Sequence, residues 1–259
     1  SDNGIQNNKE SFSYSDFVKL LSYDAYTVVS NGGKEKKIKV TQALEKQSRG
    51  GSVFHDDVKT KQLSFPNLEA GAKKVYEYST EFTDPNLLHK FIFGEVLPVK
   101  NSRLEIKVDK NVNIGFKLFN DPNHLIAFNK IEKKDYTLYQ WTLTDGKPFK
   151  FEGNAPSILY SVPHLIFYIE DYTADKNKVT LLGDIQRMYT YYSSFVENLN
   201  TKEDAALKEI SQNITANKTS EEEKVKAIFY WVKDNIKYIA FENGYEGFIP
   251  REAALVNER

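Results

Sequence analysis

The sequence predicts a β + α protein of two domains, in which an N-terminal antiparallel β-sandwich is followed by a helical lobe. Up to about Tyr172, apolar and polar residues alternate along several short runs, which is the period of strands with one buried face. From Asp184 onward, apolar residues recur at helical spacing, which is typical of amphipathic helices. No helical crossover of about 10 to 15 residues interrupts the strand-like part, so the pattern favours an antiparallel sandwich over a parallel α/β sheet.

The strand-like part is divided by residues that favour turns. Alternation is clearest in four runs, Ala25–Val29, Lys73–Phe82, Ser102–Val108 and Tyr136–Leu143. Glycine permits positive φ and proline fixes the first dihedral angle of a turn, so turns are predicted wherever these residues cluster. The predicted turns are Asn31–Gly33, Glu69–Gly71, Asp84–Asn86, Asp121–Asn123 and Asp145–Gly146.

The second part contains the start signals of several helices. Asp184 is the predicted N-cap of a helix that runs to Leu199, and Thr201–Asp204 begins the next. Ser220 and Glu223 have the spacing of a capping box, in which the two side chains satisfy each other's end of the first turn. The apolar stripe of the helix that follows is expected to face the core, and it consists of Val225, Ile228, Phe229, Val232 and Ile236.

A boundary between the two parts is predicted near the polar stretch Asp175–Lys178. The expected domains are therefore a β-sandwich over residues 1–176 and a helical lobe over residues 177–259. After the helices, Tyr238–Phe241 is short and apolar enough for a strand, and Arg251–Val256 suggests a last helix.

Composition narrows the classes of function. The chain has 259 residues, no cysteine and a formal net charge of −1, so no global electrostatic attraction to nucleic acid or to an anionic membrane is expected. It has no run of about 20 apolar residues, and it opens on Ser1-Asp-Asn-Gly. We expect a periplasmic or extracellular protein whose signal peptide has been removed.

The last stretch resembles a known family. Trp231–Tyr238, the Gly244-Tyr-Glu-Gly247 turn and Phe248-Ile-Pro-Arg-Glu-Ala253 resemble the run that leads to the nucleophilic cysteine of bacterial transglutaminase-like proteins, which belong to the papain-like superfamily. In that family a Gly-Asp-Cys motif follows, with the histidine and aspartate of the triad further on. The resemblance implies the helical N-terminal lobe of a transglutaminase-like core that ends ahead of its cysteine, and hence a chain without catalytic residues.

The N-terminal part resembles the β-sandwich domain of unknown function that commonly precedes such cores in bacteria. The residues that carry this resemblance are Leu68–Tyr78, Phe91–Leu104 and Tyr139–Trp141. Their order along the chain matches the family as well.

The candidate site residues are Tyr245, Glu246, Gly247 and Phe248. They precede the expected nucleophile closely, and two aromatic residues flank a flexible glycine there, so we expect this turn to border a substrate groove. No cofactor or metal site is predicted, because the four histidines (His55, His89, His124 and His164) have neither paired spacing nor a nucleophile motif beside them.

Three functions stay open at this stage. The first is a non-catalytic fragment of a transglutaminase-like cysteine peptidase, amidase or acyltransferase, whose sandwich has an accessory role. The second is a cell-surface or periplasmic module for binding or adhesion, in which edge strands or some of the 16 Tyr and 17 Phe residues contact a peptide, a protein or cell-wall glycan. The third is a hydrolase with an unrecognised site. An exposed apolar face of the helical lobe could also support a homodimer.

Overall fold

The computed structural model describes residues 8–47, 53–149, 153–238, 240–242 and 244–257. The strands among them are β1 (Lys9–Tyr14), β2 (Val18–Asn31), β3 (Lys34–Lys39), β4 (Gln42–Gln47), β5 (Val53–Asp56), β6 (Lys59–Ser64), β7 (Lys73–Phe82), β8 (His89–Ile92), β9 (Val99–Asp109), β10 (Val112–Phe119), β11 (Ile126–Glu132), β12 (Tyr136–Gly146), β13 (His164–Ala174), β14 (Asn177–Thr180) and β15 (Ala240–Glu242). The helices are α1 (Ile185–Ser194), α2 (Ala205–Thr215), α3 (Glu221–Asn235) and α4 (Ala253–Asn257), with short 3-10 helices at Ile158–Tyr160 and Gly244–Gly247. Contacts divide the chain into two compact units, of which unit 1 comprises Ser1–Thr83 and Tyr192–Arg259 and unit 2 comprises Asp84–Tyr191.

Unit 1 contains two antiparallel three-stranded sheets with one core. Their strand orders are β1-β6-β4 and β3-β2-β7. The core consists of Phe12 from β1, Ala25 from β2, and Leu63 and Phe65 from β6 and the turn after it. Residues from both sheets are buried together, which is how a sandwich removes the apolar face of each sheet from water.

Unit 2 is a second sandwich with its own core. Strand β13 pairs with β10 on one side and with β8 and β14 on the other, and the facing sheet has the order β11-β12-β9. Phe93, Trp141 and Leu165 are almost completely buried at its centre. The predicted fold class is therefore confirmed, since antiparallel sheets form most of the structure and a few helices follow. The strand-rich part, however, has two cores.

The buried carboxylate of Asp84 holds the first and last residues of unit 2 together. Its Oδ1 accepts hydrogen bonds from the backbone and side-chain nitrogens of Asn86, at 2.8 and 2.9 Å. Its Oδ2 accepts a hydrogen bond of 2.5 Å from the hydroxyl of Tyr191. A buried carboxylate is tolerated when its oxygens are hydrogen-bonded in this way.

The four predicted strand runs are confirmed, because they lie within β2, β7, β9 and β12. Two local predictions are wrong. Asp145-Gly146 lies inside β12 and is not a turn, and Asp175–Lys178 forms the hairpin between β13 and β14 in place of a linker. Asp175 and Lys176 both have positive φ, of 49° and 66°, as the residues of a tight hairpin turn do. The predicted division at residues 176 and 177 comes from sequence alone and stays a prediction.

The helix start signals are confirmed. The Asp184 carboxylate accepts the backbone N–H of Arg187 at 2.8 Å, and Asp204 caps α2. Ser220 and Glu223 form the predicted capping box of α3. Hydrogen bonds from the backbone N–H groups of Ser220 and Thr219 hold the pKa of the Glu223 carboxyl below its ordinary value. The first helix ends at Ser194, earlier than the predicted Leu199.

The expected burial of the α3 stripe is wrong. No residue of α3 is buried, and Val225 and Phe229 are 66% and 62% exposed. The periodicity of a sequence fixes which face of a helix is apolar, but it does not say what covers that face. No helix in the described ranges is both long and apolar enough to cross a membrane.

The unit 2 core gives a stability prediction. Replacing the fully buried Leu165 by alanine should lower the free energy of unfolding of unit 2 by about 2 to 5 kcal/mol, because methyl groups are lost and a cavity remains. The control Leu97→Ala, at an exposed position of the same unit, should change it by about 0.5 kcal/mol or less. Urea unfolding followed by fluorescence in a Trp231→Phe background, where Trp141 is the reporter, measures both. Equal losses for the two variants would contradict the assignment of this core.

The capping box gives a second prediction. Ser220→Ala should lower the free energy of unfolding of unit 1 by about 1 kcal/mol, because the N–H of Glu223 loses its side-chain acceptor. Ser211→Ala, inside α2, is the control and should be neutral or slightly stabilising, since alanine has the higher helix propensity. Urea unfolding followed by far-UV circular dichroism compares the two, and a larger loss for Ser211→Ala would count against the capping assignment.

Candidate functional site

The predicted groove residues lie on one short irregular segment, Gly244–Ile249. Residues 244–247 form a 3-10 helix, which contains Glu246 and ends at Gly247. The carbonyl of Tyr245 accepts the backbone N–H groups of Phe248 and Ile249, at 2.9 and 3.0 Å. Tyr245 and Phe248 are 42% and 43% exposed, so each side chain is partly in contact with protein and partly open to solvent.

A parallel strand pair brings this segment to the N-terminal strands of unit 1. β15 pairs with β5, with Ala240 opposite Val53, Phe241 opposite His55 and Glu242 opposite Asp56. It is the one parallel pairing among the strands that the structure describes. Because β5 and β15 run in the same direction, the residues after both strands lie at the same end of the pair.

The carboxylate of Asp57, directly after β5, binds two backbone segments at this end. Its Oδ2 accepts the N–H of Asp16 at 2.9 Å and the N–H of Gly244 at 3.3 Å. Gly244 has φ of +52°, a left-handed conformation that glycine adopts without a steric penalty, and its backbone approaches the side chain of Asp16. One side chain therefore joins the start of the 3-10 helix to the connection between β1 and β2.

Five rings pack together at the segment, two of them its own. We call them the aromatic cluster: Phe17, Tyr192, Phe195, Tyr245 and Phe248. Phe17 meets Tyr245 edge to face, with ring centres 4.9 Å apart and planes at 86°, and it also contacts Phe248 at 6.1 Å. Phe195 contacts the same two rings at 5.6 and 6.1 Å. Tyr192 contacts Phe195 and Phe248. These distances and tilts are those of favourable aromatic pairs.

The residues that follow the segment are attached to the loop before α2 by a second set of hydrogen bonds. The N–H of Asn200 donates to the Glu252 carboxylate at 2.8 Å, and the N–H of Ala253 donates to the Asn200 side-chain oxygen at 2.8 Å. This reciprocal pair caps the start of α4 and ties it to the loop before α2. The segment between Gly244 and Ala253 is thus held at both of its ends.

Two of the four histidines, His89 and His164, pack against aromatic rings. His164 is buried, its Nδ1 lies 2.9 Å from the carbonyl oxygen of Val162, and its ring stacks on Phe119. His89 stacks on Phe167, and burial lowers the pKa of its imidazole. His124 is exposed in a turn, whereas the side chain of His55 lies outside the described residues. In the described ranges, no three His, Asp or Glu side chains converge in a way that could hold a metal ion.

Tyr14, Glu45 and Lys61 form a connected polar group on the unit 1 strands. Tyr14 donates to Glu45, and Lys61 Nζ lies 2.9 Å from the same carboxylate. Burial and the hydrogen bond to Glu45 raise the pKa of Tyr14, and the hydrogen bond to Glu45 raises the pKa of Lys61. A nucleophile or base needs a lowered pKa in either group, so this arrangement does not support a hydrolase site.

The sequence singled out Tyr245, Glu246, Gly247 and Phe248, whose role at a groove stays a prediction, but not the residues that contact their segment. Asp57 lies in a short polar turn and has no local signal, because its hydrogen-bond donors are 41 and 187 residues away along the chain. Phe17 likewise follows a strand without a distinctive pattern. Phe195 lies within the first predicted helix, between Asp184 and Leu199, but nothing in the sequence relates it to residues 244–249. The described side chains of the site provide a partly exposed aromatic surface beside a carboxylate, Asp57, that binds two backbone N–H groups.

Comparison with solved structures supports the architecture of the whole chain. The fold is similar to that of a putative protease from Parabacteroides distasonis ATCC 8503, with a TM-score of 0.71 and 17% sequence identity. The match covers 100% of this chain and 49% of that chain, so the chain spans about half the length of the similar structure. At this identity the likeness is one of fold.

Comparison at the sequence level identifies the N-terminal part. No curated protein matches the chain. Residues 1–150 match the family model described as a Domain of Unknown Function with solved structure, DUF3857. The match includes strands β1 to β12 and more than half of the sequence. The chain therefore belongs to the DUF3857 family.

Proposed function

We propose that this chain is the non-catalytic N-terminal part of a longer bacterial transglutaminase-like cysteine peptidase, amidase or acyltransferase. The observation that carries the proposal is the match of the entire chain, helices included, to about half of a putative protease. The run from Trp231 to Ala253, which resembles the approach to a transglutaminase-like cysteine, lies within that match. The DUF3857 strands would then have an accessory role beside a thiol-dependent active site.

The chemistry of such a protein requires a group that this chain does not have. A cysteine at a helix N-terminus, beside a histidine, is held as the thiolate. The thiolate sulfur attacks an amide or ester carbonyl and expels the amine or alcohol, which leaves an acyl-enzyme that water or an amine resolves. This chain has no cysteine, so the nucleophile would come from another part of the protein. By itself the chain should be catalytically inert.

The role left to this chain is to form part of the substrate groove. Tyr245, Glu246, Gly247 and Phe248 would border that groove, because they lie on the segment that leads toward the expected nucleophile. The partly exposed rings of Tyr245 and Phe248 offer apolar surface to a peptide side chain, and contacts with Phe17 and Phe195 restrain them. A rigid, partly apolar border of this kind orients a substrate without reacting with it.

The exposed face of α3 also supports the proposal. Val225 and Phe229 leave an apolar stripe open on a helix that has no buried residue. A stripe of this kind is normally covered, because exposed apolar side chains lose the hydrophobic contribution to stability. The remaining part of the longer protein is the occupant that we propose for it, since the similar solved chain has about twice the length.

One observation favours the alternative of a peptide-binding or glycan-binding module. At the rim of the unit 2 core, Phe116 and Phe128 are partly exposed with ring centres 5.7 Å apart, and both contact the buried Trp141. Exposed rings that are fixed from below can stack on a sugar or on a peptide side chain.

The alternative predicts specific retention. This chain should bind a defined glycan on an array or be retained by cell-wall material, and Phe128→Ala should weaken that binding about tenfold. Tyr160→Ala, at another exposed ring of unit 2, is the control and should have no effect. Absence of reproducible binding, or equal losses for both variants, would dispose of the alternative.

The leading proposal predicts a property of the parent gene and of the protein that it encodes. The reading frame past residue 259 should encode a Gly-Asp-Cys motif followed by a histidine and an aspartate, and a frame that encodes no such cysteine would refute the proposal.

In the full-length protein, Tyr245→Ala and Phe248→Ala should each lower kcat/KM about tenfold or more, because the substrate loses its orientation. Tyr238→Ala is the control, since Tyr238 is exposed and outside the aromatic cluster. Unchanged kinetics in variants that remain folded would remove these residues from the groove.

A further inference from the structure

We infer that Asp57 and Phe17, which belong to the N-terminal strands, are positioning residues for the groove segment Gly244–Ile249. The contacts that suggest this are present in the chain itself. Their consequence for catalysis rests on the function proposed above. On this interpretation the DUF3857 strands hold one wall of the substrate groove in place, which is a more direct role than that of a separate accessory domain.

The first support is the geometry around Asp57. A single carboxylate oxygen accepts N–H groups from Asp16 and from Gly244. Hydrogen bonds to a charged acceptor are stronger than those between neutral groups. The bond to Gly244 acts on the first residue of the 3-10 helix, so it fixes where that helix starts and thus where the next four residues lie.

The second support is the way in which Phe17 is held beneath the segment. Its carbonyl accepts the N–H of Thr83 at 2.9 Å, and the Thr83 hydroxyl lies within hydrogen-bond distance of the carbonyls of Asp16 and Phe17. The N–H of Ser15 and the carbonyl of Val18 close the same connection at 2.9 Å. The backbone on both sides of Phe17 is therefore restrained, and its ring gives Tyr245 and Phe248 a fixed surface to pack on.

The third support is that the segment has little structure of its own. It is one turn of 3-10 helix after a three-residue strand, and both are too short to be stable without tertiary contacts. Its outer surface is open, because Tyr245 and Phe248 are each more than two-fifths exposed. Tertiary contacts must therefore fix its position, and those with Asp57, Phe17 and the remainder of the aromatic cluster are among them.

The test measures amide hydrogen exchange in the chain as given, without any catalytic assay. Asp57→Ala should accelerate exchange at Gly244, Phe248 and Ile249 about tenfold or more, because the segment opens locally once the carboxylate is lost. Amides of the unit 1 core, such as that of Leu63, should keep their protection. Asp24→Ala, at an exposed carboxylate on β2, is the matched control and should change none of these rates.

Two further variants make the result decisive. Asp57→Asn keeps the size of the side chain and one acceptor oxygen, so it should restore most of the protection at Gly244. If Asp57→Ala unfolds unit 1 as a whole, Phe17→Leu decides, because it should accelerate exchange at residues 244–249 while the Leu63 strand stays protected. Exchange in this segment that is unchanged in a folded Asp57→Ala or Phe17→Leu variant, or that accelerates equally in the Leu63 strand, would overturn the inference.

The full-length protein separates this inference from the proposed function. There Asp57→Ala should lower kcat/KM about tenfold while Asp57→Asn retains most of it and Asp24→Ala leaves it unchanged. A parent without thiol-dependent activity would refute the proposed function and leave the exchange result intact. An active parent whose kinetics and local exchange are both insensitive to Asp57→Ala would refute only the positioning role.

Discussion

The arrangement of unit 1 depends on the parallel pairing of β15 with β5 and on the Asp57 carboxylate at its end. Irregular backbone must find hydrogen-bond partners when it packs against other elements, and the segment after β15 is too short to satisfy them internally. The partners come from residues near the start of the chain, at a separation of 187 positions for Asp57 and Gly244. Unit 1 consequently joins the two ends of the sequence, whereas unit 2 is formed by the continuous stretch between them.

The sequence could predict the parts of the structure that depend on neighbouring residues, but not these contacts between distant ones. Strand alternation, the Asp184 and Asp204 caps and the Ser220–Glu223 box are local patterns, because the groups that interact lie within a few residues of each other. Each of them is present in the structure. The Asp175–Lys178 stretch was misread because a polar linker and a tight hairpin turn have the same composition, and only the pairing of β13 with β14 distinguishes them.

The same reasoning applies to the candidate site. The Tyr245–Phe248 segment could be proposed as a groove border because its resemblance to a family is a property of consecutive residues. Asp57 and Phe17 could not, since a carboxylate in a polar turn and an aromatic residue after a strand are common in any sandwich. Their importance comes from tertiary contacts with residues that have no detectable relation to them in the sequence. The amphipathic pattern of α3 is also an incomplete guide to tertiary structure, because it identifies an apolar face but not the partner that covers it.

These contacts bear on what a domain of the DUF3857 family contributes to a larger protein. If the strands and the segment Gly244–Ile249 were separate modules, each would form its hydrogen bonds within itself. The segment would then retain its shape in the absence of the strands. In unit 1 they share a strand pair, a carboxylate and an aromatic cluster, so the loss of the strands would remove the acceptor of the Gly244 N–H and the contact of Tyr245 with Phe17. If the segment borders a groove as proposed, selection on its geometry would act on residues at both ends of the chain, Asp57 and Phe17 among them.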